Sequence, residues 1–151
     1  MAGTYSQMHI QIVFAVKNHQ SSFIKKEHKD EIEKYIAGII SNNNCKLLSI
    51  FCNHDHVHIL IGLRPSISLS DLVRKIKSSS SKFIHEKYDK NKHFAWQEGY
   101  GAFTYSRSQI GRVINYILNQ EEHHRKKTFR EEYINMLIKS QIDFDEKYLF
   151  D

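Results

Sequence analysis

The sequence predicts an α+β fold, and the order of two hydrophobic periodicities along the chain carries that prediction. Short runs rich in β-branched residues give way to segments in which apolar residues recur at helical spacing. Their order is strand, helix, strand, strand, helix, strand, and further helical segments follow. This is the order of a ferredoxin-like or RRM-like antiparallel sheet, which buries one face under two helices and leaves the other open.

The first half of the chain supplies three of the strands. Residues 9–16 are β-branched and apolar, with alternate side chains on one face. Residues 27–42 repeat isoleucine and tyrosine at helical spacing, and a run of three asparagines ends that helix. Residues 45–53 and 55–63 are predicted to pair antiparallel through a turn near Asn53-His54.

Capping patterns mark the helices of the second half, where a hydroxyl residue precedes an acidic or amide residue by three positions. The three pairs are Ser68 and Asp71, Ser106 and Gln109, and Thr128 and Glu131. The first of these helices is expected to reach about Tyr88. Aromatic residues alternate with small ones within residues 94–106, which predicts the fourth strand, and an aromatic tail closes the chain.

Bulk properties indicate a single domain, residues 1–151, with neither a linker nor an internal repeat. The net charge of +5 favours an anionic partner. Cys45 and Cys52 form no C-x-x-C pair, so free thiols in a reducing cytosol are expected. The N-terminus resembles no signal peptide and no run of about eighteen apolar residues occurs, which predicts a cytoplasmic protein without a membrane contact.

The motif His56-Val57-His58 is the first candidate for chemistry. Residues two apart on a strand share a face, so both imidazoles can bind one metal ion. Val57, Ile59 and Ile61 would face the helices, which places the histidines on the open face. An isolated H-x-H triplet is also common on half-exposed strands, and His54 is assigned to the turn.

Tyr116 and Gln120 are the second candidate, because residues four apart on one helix share a face. A helical wheel places Tyr116 outside the apolar stripe, among amide, imidazole and basic side chains. The alternative is an aromatic residue packed at the edge of the core. Two imidazoles, an amide oxygen and a phenol suit metal-assisted cleavage of a phosphodiester. A phenol has a pKa near 10 and needs activation, for which Mg²⁺ is expected, with Mn²⁺ able to substitute.

In these motifs the chain resembles the single-tyrosine HUH transposases of the insertion sequence 200/605 group. The likeness lies in the Asp55–His58 block, residues 96–103, the Tyr116-x-x-x-Gln120 pair, residues 119–124 and residues 129–133, and it spans nearly the whole chain. The resemblance implies that His56, His58 and Gln120 bind the metal. It also implies that Tyr116 is the nucleophile, carried on a C-terminal helix, and forms a 5′-phosphotyrosine intermediate while cleaving and rejoining single-stranded DNA.

The same resemblance implies partners. They are single-stranded DNA with imperfect hairpins near the element ends and a second copy of the chain, with the tyrosine helix exchanged between subunits. Basic and hydroxyl residues outside the apolar stripes are candidate DNA contacts, although a solvated basic surface would look the same. These candidates are Arg74, Lys75, Lys77, Ser78, Lys82, Arg107, Arg112 and Lys127.

Three other functions fit parts of the sequence. Residues 99–105 loosely resemble the aromatic motif of an RRM, which would make the chain a non-catalytic single-strand nucleic-acid-binding module. Such a module has no use for Tyr116 and Gln120 beside a histidine pair. Replication initiators and relaxases share the HUH chemistry but are usually larger. A domesticated, repeat-associated HUH nuclease that cuts hairpins without moving an element remains open.

Overall fold

The computed structural model describes residues 3–17 and 24–150, and its sheet has the predicted strands. They are β1 (His9–Ala15), β2 (Lys46–Cys52), β3 (His56–Gly62) and β4 (Gly101–Tyr105). All neighbours pair antiparallel, in the order β2-β3-β1-β4. The predicted fold class is therefore confirmed. The β2–β3 hairpin turns at residues 53–55, next to the histidine motif.

Two long helices cover one face of the sheet. They are α1 (Lys29–Asn42), preceded by a 3-10 turn, and α2 (Leu69–Lys87). Their isoleucine-rich stripes form one core with the side chains of Val57, Ile59 and Ile61. These three residues of β3 face the helices as predicted, so His56 and His58 point to the opposite side. None of the helices in the described residues is long and apolar enough to cross a bilayer.

The second face of the sheet is covered as well, so the prediction of an open face is wrong. Three short helices lie over it, namely α3 (Ile110–Leu118), α4 (Gln120–His124) and α5 (Phe129–Lys139). The apolar side of α3 packs on Leu60, and α5 packs against Val13 and Ala15. The sequence carries the reason: β1 is apolar at consecutive positions, which is the pattern of a strand buried on both faces.

Gly101 allows α5 to approach the sheet closely. A Cβ atom at this position would lie 2.7 Å from Cε1 and 2.8 Å from the hydroxyl of Tyr133 on α5. The end of the chain then packs on α5 through Leu149 and Phe150, both buried. Gln97 ties this tail to β1, because its side chain accepts from Ala15 N and donates to Leu149 O, both at 2.7 Å. α5 is thus fixed from the sheet side and from the tail.

The helix expected to carry both Tyr116 and Gln120 is interrupted between them. α3 ends at Leu118, Asn119 has φ −99° and ψ 27°, and α4 begins at Gln120. A wheel of about 100° per residue therefore does not hold beyond Leu118. The capping boxes at Ser106 and Thr128 are present as predicted, the first opening a 3-10 turn that leads into α3 and the second opening α5.

Candidate active site

His56 and His58 lie side by side on β3, beneath α4 and α5. Their rings are 5.1 Å apart between centroids, and their exposed fractions are 1% and 0%. This confirms the predicted common face but not its openness. His54 lies in the turn with 58% of its side chain exposed, and takes no part in the cluster.

The imidazole of His56 is oriented by its neighbour in sequence. Its Nδ1 lies 2.7 Å from Asp55 Oδ1, so Nδ1–H donates to that carboxylate. Nε2 then carries the lone pair of the neutral ring and faces the interior of the cluster. A histidine held in this way by a carboxylate is arranged as a metal ligand commonly is.

His58 is oriented by a relay through the sheet. The Gln11 amide Nε2 lies 2.9 Å from His58 Nδ1, and the Tyr105 hydroxyl donates to Gln11 Oε1 at 2.9 Å. With this amide orientation, His58 carries its proton on Nε2. A half-turn of the Gln11 amide would let Oε1 accept from Nδ1–H and free the Nε2 lone pair for a cation.

Gln120 contacts His56 although it lies on α4 instead of the tyrosine helix. Its Oε1 is 3.3 Å from His56 Nε2 and 3.0 Å from His124 Nε2, and its side chain is fully buried. The break at Asn119 therefore does not separate Gln120 from the predicted site. It brings in His124, which sequence reasoning did not select.

Glu132 on α5 occupies the centre of the cluster, and sequence reasoning missed it. Its Oε1 lies 3.1 Å from His58 Nε2, 3.3 Å from His124 Nε2 and 3.5 Å from His56 Nε2. Its Oε2 accepts from Gln120 Nε2 at 3.1 Å. One signal was available in the sequence. A carboxylate stands inside the buried stripe of α5, beside Tyr133, where an unpaired charge would be costly.

Tyr116 meets the same carboxylate. Its hydroxyl donates to Glu132 Oε2, and its ring lies 5.9 Å from that of His58 and 4.6 Å from that of His123 between centroids. Burial, followed by the charge of Glu132 and the hydrogen bond to it, raises the pKa of Tyr116 above its ordinary value. Without a cation the phenol is therefore protonated at neutral pH.

Glu132 and His58 have the ionisation states that a metal site requires, whereas the metal-free surroundings of His56 favour its protonated form. Burial would raise the pKa of Glu132, but hydrogen bonds from His124, His56 and His58 lower it. Burial lowers the pKa of His58 to about 4. Burial also opposes charge on His56, yet its hydrogen bonds to Asp55 and Glu132 raise its pKa. The cluster holds an anionic carboxylate, and His58 stays neutral.

The donor set fits a divalent cation. One ligand atom each from His56, His58 and Glu132 lie within 4.8 Å of one another, and all three residues are buried. Carboxylate and amide oxygens suit Mg²⁺ and Mn²⁺, whereas imidazole favours Mn²⁺ of the two. Each of the three residues also contacts a further side chain: Asp55 for His56, Gln11 for His58 and Tyr116 for Glu132. Such outer contacts are the usual way in which metal ligands are oriented.

The predicted DNA contacts fall into two groups on opposite sides of the sheet. Those on α2 are remote from the histidines, and Lys77 donates to the backbone oxygens of Gln97, Glu98 and Gly99 at 2.7, 3.0 and 2.7 Å. Burial lowers the pKa of Lys77 to about 8. Arg112 and Lys127 instead line a cavity beside Tyr116. Lys77 is therefore engaged within the fold by three backbone oxygens, whereas Arg112 and Lys127 remain candidate DNA contacts.

The family model described as "Transposase IS200 like" matches residues 4–120. The chain belongs to the IS200-like transposase family. The matched region contains the histidine pair, Tyr116 and Gln120. Glu132 lies beyond its end.

Two bacterial transposases show the extent of the similarity. The transposase for insertion sequence element IS200 of Salmonella typhimurium is 26% identical over 117 residues, which is 74% of this chain and 75% of that protein. The ISDra2 transposase TnpA of Deinococcus radiodurans is 22% identical over 125 residues, 80% of this chain and 89% of that one. The chain is therefore a DNA transposase by family.

Two solved structures share the fold. A crystal structure of a candidate transposase from Deinococcus radiodurans R1 superposes with a TM-score of 0.64 at 21% identity, over 80% of this chain and 95% of that one. A REP-associated tyrosine transposase bound to a REP hairpin gives a TM-score of 0.61 at 13% identity, over 82% and 73% of the two chains. The sheet with helices on both faces is thus the fold of other transposases.

Proposed function

We propose that this transposase cuts and rejoins single-stranded DNA through Tyr116, with a divalent cation held by His56, His58, Gln120 and Glu132. One observation carries the proposal. The carboxylate of Glu132 contacts the imidazoles of His56 and His58. It also accepts a hydrogen bond from the hydroxyl of Tyr116. The nucleophile and the metal-ligand candidates are therefore arranged around one side chain. A non-catalytic binding module would have no use for that arrangement.

Each residue of the site has its own role in the proposed reaction. Glu132 Oε2 orients the phenol and is the nearest acceptor for its proton. The Tyr116 oxygen forms a bond to phosphorus while the bond from phosphorus to the 3′ oxygen breaks, and that oxygen leaves as a hydroxyl after protonation. A bound Mg²⁺ or Mn²⁺ would polarise the phosphate and stabilise the departing oxygen. Asp55 and Gln11 keep the imidazoles in place.

The product of cutting is a 5′-phosphotyrosine on Tyr116 and a free 3′ hydroxyl. Because the phosphodiester energy is kept in the covalent bond, attack by a 3′ hydroxyl can rejoin the strand without a nucleotide cofactor. We infer that the reaction acts on unpaired DNA, because Tyr116 is half-buried and its hydroxyl is bonded to Glu132. We infer that hairpins near the element ends present such single strands, as the resemblance implied.

We also propose that the chain works as a homodimer in which α3 and α4 are exchanged. Only Val113 and Ile117 of α3 are buried, and Leu118 at its end is 55% exposed. Residues 125–128, which connect α4 to α5, are exposed. α3 contacts the sheet through one apolar stripe that includes Val113 and Ile117, and an exchanged helix would make the same contacts on the partner's sheet. In the described chain Tyr116 lies beside the histidines of its own subunit. Helix exchange would replace this contact by the equivalent contact with the histidines of the partner subunit.

The proposed activity is tested with single-stranded DNA taken from the flanks of the gene. We expect cleavage with Mg²⁺ or Mn²⁺ and none with excess chelator. His56→Ala should abolish cutting but retain hairpin binding, because backbone phosphate contacts supply most of the affinity. His93→Ala, at an exposed histidine outside the cluster, is the matched control and should cut normally. Full cleavage in chelator would contradict the metal site.

A further inference from the structure

A cavity of about 730 Å³ opens beside Tyr116, between α3 and α5. Its floor is the sheet, where Gln11, Thr104 and Tyr105 line it, and Tyr116 and Glu132 stand at its inner end. Its volume lies within the range of about 300–1,000 Å³ that is usual for ligand sites. The cavity therefore adjoins the proposed nucleophile and is large enough for part of a DNA strand.

The charges around the cavity are almost all positive. Four cationic side chains line it: Arg112, Lys126, Lys127 and Lys139. Their charged ends make no ion pair or hydrogen bond with any residue that the structure describes. Glu132, the acidic residue of the lining, is already bonded within the histidine cluster. The rim thus has uncompensated positive charge, which suits a backbone phosphate.

The inner walls suit a nucleobase. Val113, Met136 and Tyr105 provide apolar and aromatic surface, and Met136 and Tyr105 are half-buried. Asn135 is half-buried in the same wall, and its amide makes no hydrogen bond with another described residue. An amide offers donors and an acceptor together, as the edge of a base requires. Stacking on such walls is the usual way in which proteins hold unpaired bases.

We propose that this cavity binds one nucleotide of the single strand beside the bond that is cut. Arg112 and Lys127 would contact its phosphate, Met136 and Tyr105 would contact the base, and Asn135 would face the base edge. This inference rests on the proposed function, because the cavity would bind the strand that Tyr116 attacks. The nucleotide is unpaired in this proposal, because a base can contact Met136 and Tyr105 only when it has left the stack of a duplex.

The chain offers a site-specific probe of this cavity. It contains three methionines, of which Met136 lines the cavity and Met8 lies outside it, before β1. Protein carrying Tyr116→Phe, so that it cannot cut, is labelled with ¹³C at the methionine methyl groups. It is titrated with a short single-stranded oligonucleotide of mixed sequence, and Met136→Leu assigns the resonance. We expect the Met136 methyl signal to shift and that of Met8 to stay.

An abasic strand separates a nucleotide site from a general anion site, and variants of Arg112 and Asn135 test the residues assigned to the phosphate and to the base. An oligonucleotide of the same length built from abasic sugars has the phosphates without the bases, and should leave the Met136 signal nearly unmoved. Arg112→Gln should weaken binding about tenfold, as loss of one charge-assisted phosphate contact implies. Arg64→Gln, the same change at an exposed residue beyond the far end of β3, should not. Asn135→Ala should alter the preference among the four bases.

The result that overturns the proposal is a Met136 signal that stays in place when anisotropy shows the protein saturated with DNA. An equal shift with the abasic strand would also overturn it, since only an anion site would remain. Either failure leaves the proposed function standing if the wild-type protein still forms a covalent adduct with DNA. Conversely, a Met136 shift in the labelled Tyr116→Phe protein, together with no adduct from the wild-type protein, would support the nucleotide site while the proposed chemistry fails.

Discussion

Glu132 on α5 accepts the hydroxyl of Tyr116 on α3, and the other oxygen of the same carboxylate lies 3.1 Å from His58 Nε2. The nucleophile candidate and the metal-ligand candidates are therefore connected through one residue. That residue follows the region matched by the family model, residues 4–120. The site is consequently completed by a helix that the family comparison does not cover.

The first prediction concerns that carboxylate. Glu132→Gln keeps the shape of the side chain but removes its charge, so we expect Mn²⁺ to bind at least about tenfold more weakly. The measurement is isothermal titration of Mn²⁺ into the purified protein. Glu121→Gln, the same change at an exposed residue next to Gln120, is the control and should bind as the wild type does. Equal affinity in Glu132→Gln would remove this residue from the ligand set.

The second prediction concerns the relay that orients His58. Gln11→Leu removes the partner of His58 Nδ1, and outer-shell changes of this kind typically reduce metal affinity about 10- to 100-fold. Tyr105→Phe removes only the hydroxyl that fixes the Gln11 amide, so its effect should be smaller. Gln7→Leu, at an exposed position before β1, is the control for the change in polarity. Mn²⁺ affinity unchanged in Gln11→Leu would show that His58 needs no orientation from the sheet.

The third prediction is a pH dependence of the metal-free protein. Burial lowers the pKa of His58 to about 4 in the folded state, against 6.5 as its ordinary value. Between these values the unfolded chain binds one more proton than the folded chain, so the free energy of unfolding falls as the pH falls from about 6.5 to about 4. His56 has a raised pKa and acts in the opposite sense above about 6.5.

Denaturant unfolding of the wild type and of His58→Gln checks this dependence. The difference between the two free energies of unfolding should shrink as the pH is lowered through that range, because only the wild type loses the contribution of His58. Groups outside the histidine cluster affect both proteins alike and cancel. A difference that is constant with pH would show that His58 is not held neutral in the fold.

The fold was predictable because its signals are local. The alternation in residues 9–16 and 55–63, the capping boxes and the isoleucine spacing of α1 each depend on neighbours in sequence. The common face of His56 and His58 follows from the same alternation. These features survive in the structure with boundaries shifted by one or two residues.

What the sequence did not reveal depends on tertiary packing. Nothing local shows that α5 folds back over the histidines, so Glu132 could be suspected only as a carboxylate in an apolar stripe. The break at Asn119 likewise has no local signal, and the Tyr116–Gln120 spacing looked continuous. Lys77 looked like a phosphate contact, yet it holds three backbone oxygens of the segment before β4.

The fourth prediction concerns assembly. The chain has a mass of 17.9 kDa, so light scattering should give about twice that value if it is a homodimer. If α3 is exchanged, mixing Tyr116→Phe with His56→Ala subunits should restore one working site in each mixed dimer. Neither variant alone should cut DNA. A mixture that stays inactive, although mass spectrometry shows mixed dimers, would mean that each subunit uses its own Tyr116.

The central claim, that Tyr116 attacks DNA, is tested most directly by trapping the covalent intermediate. The protein is incubated with Mg²⁺ and a labelled single strand from the flank of the gene, then denatured and separated by electrophoresis. We expect a protein–DNA adduct that carries the label only when the label lies 3′ of the cut. Tyr116→Phe should fold and bind DNA but form no adduct, whereas Tyr100→Phe should form it. An adduct that persists in Tyr116→Phe would contradict the account and move the nucleophile to another residue.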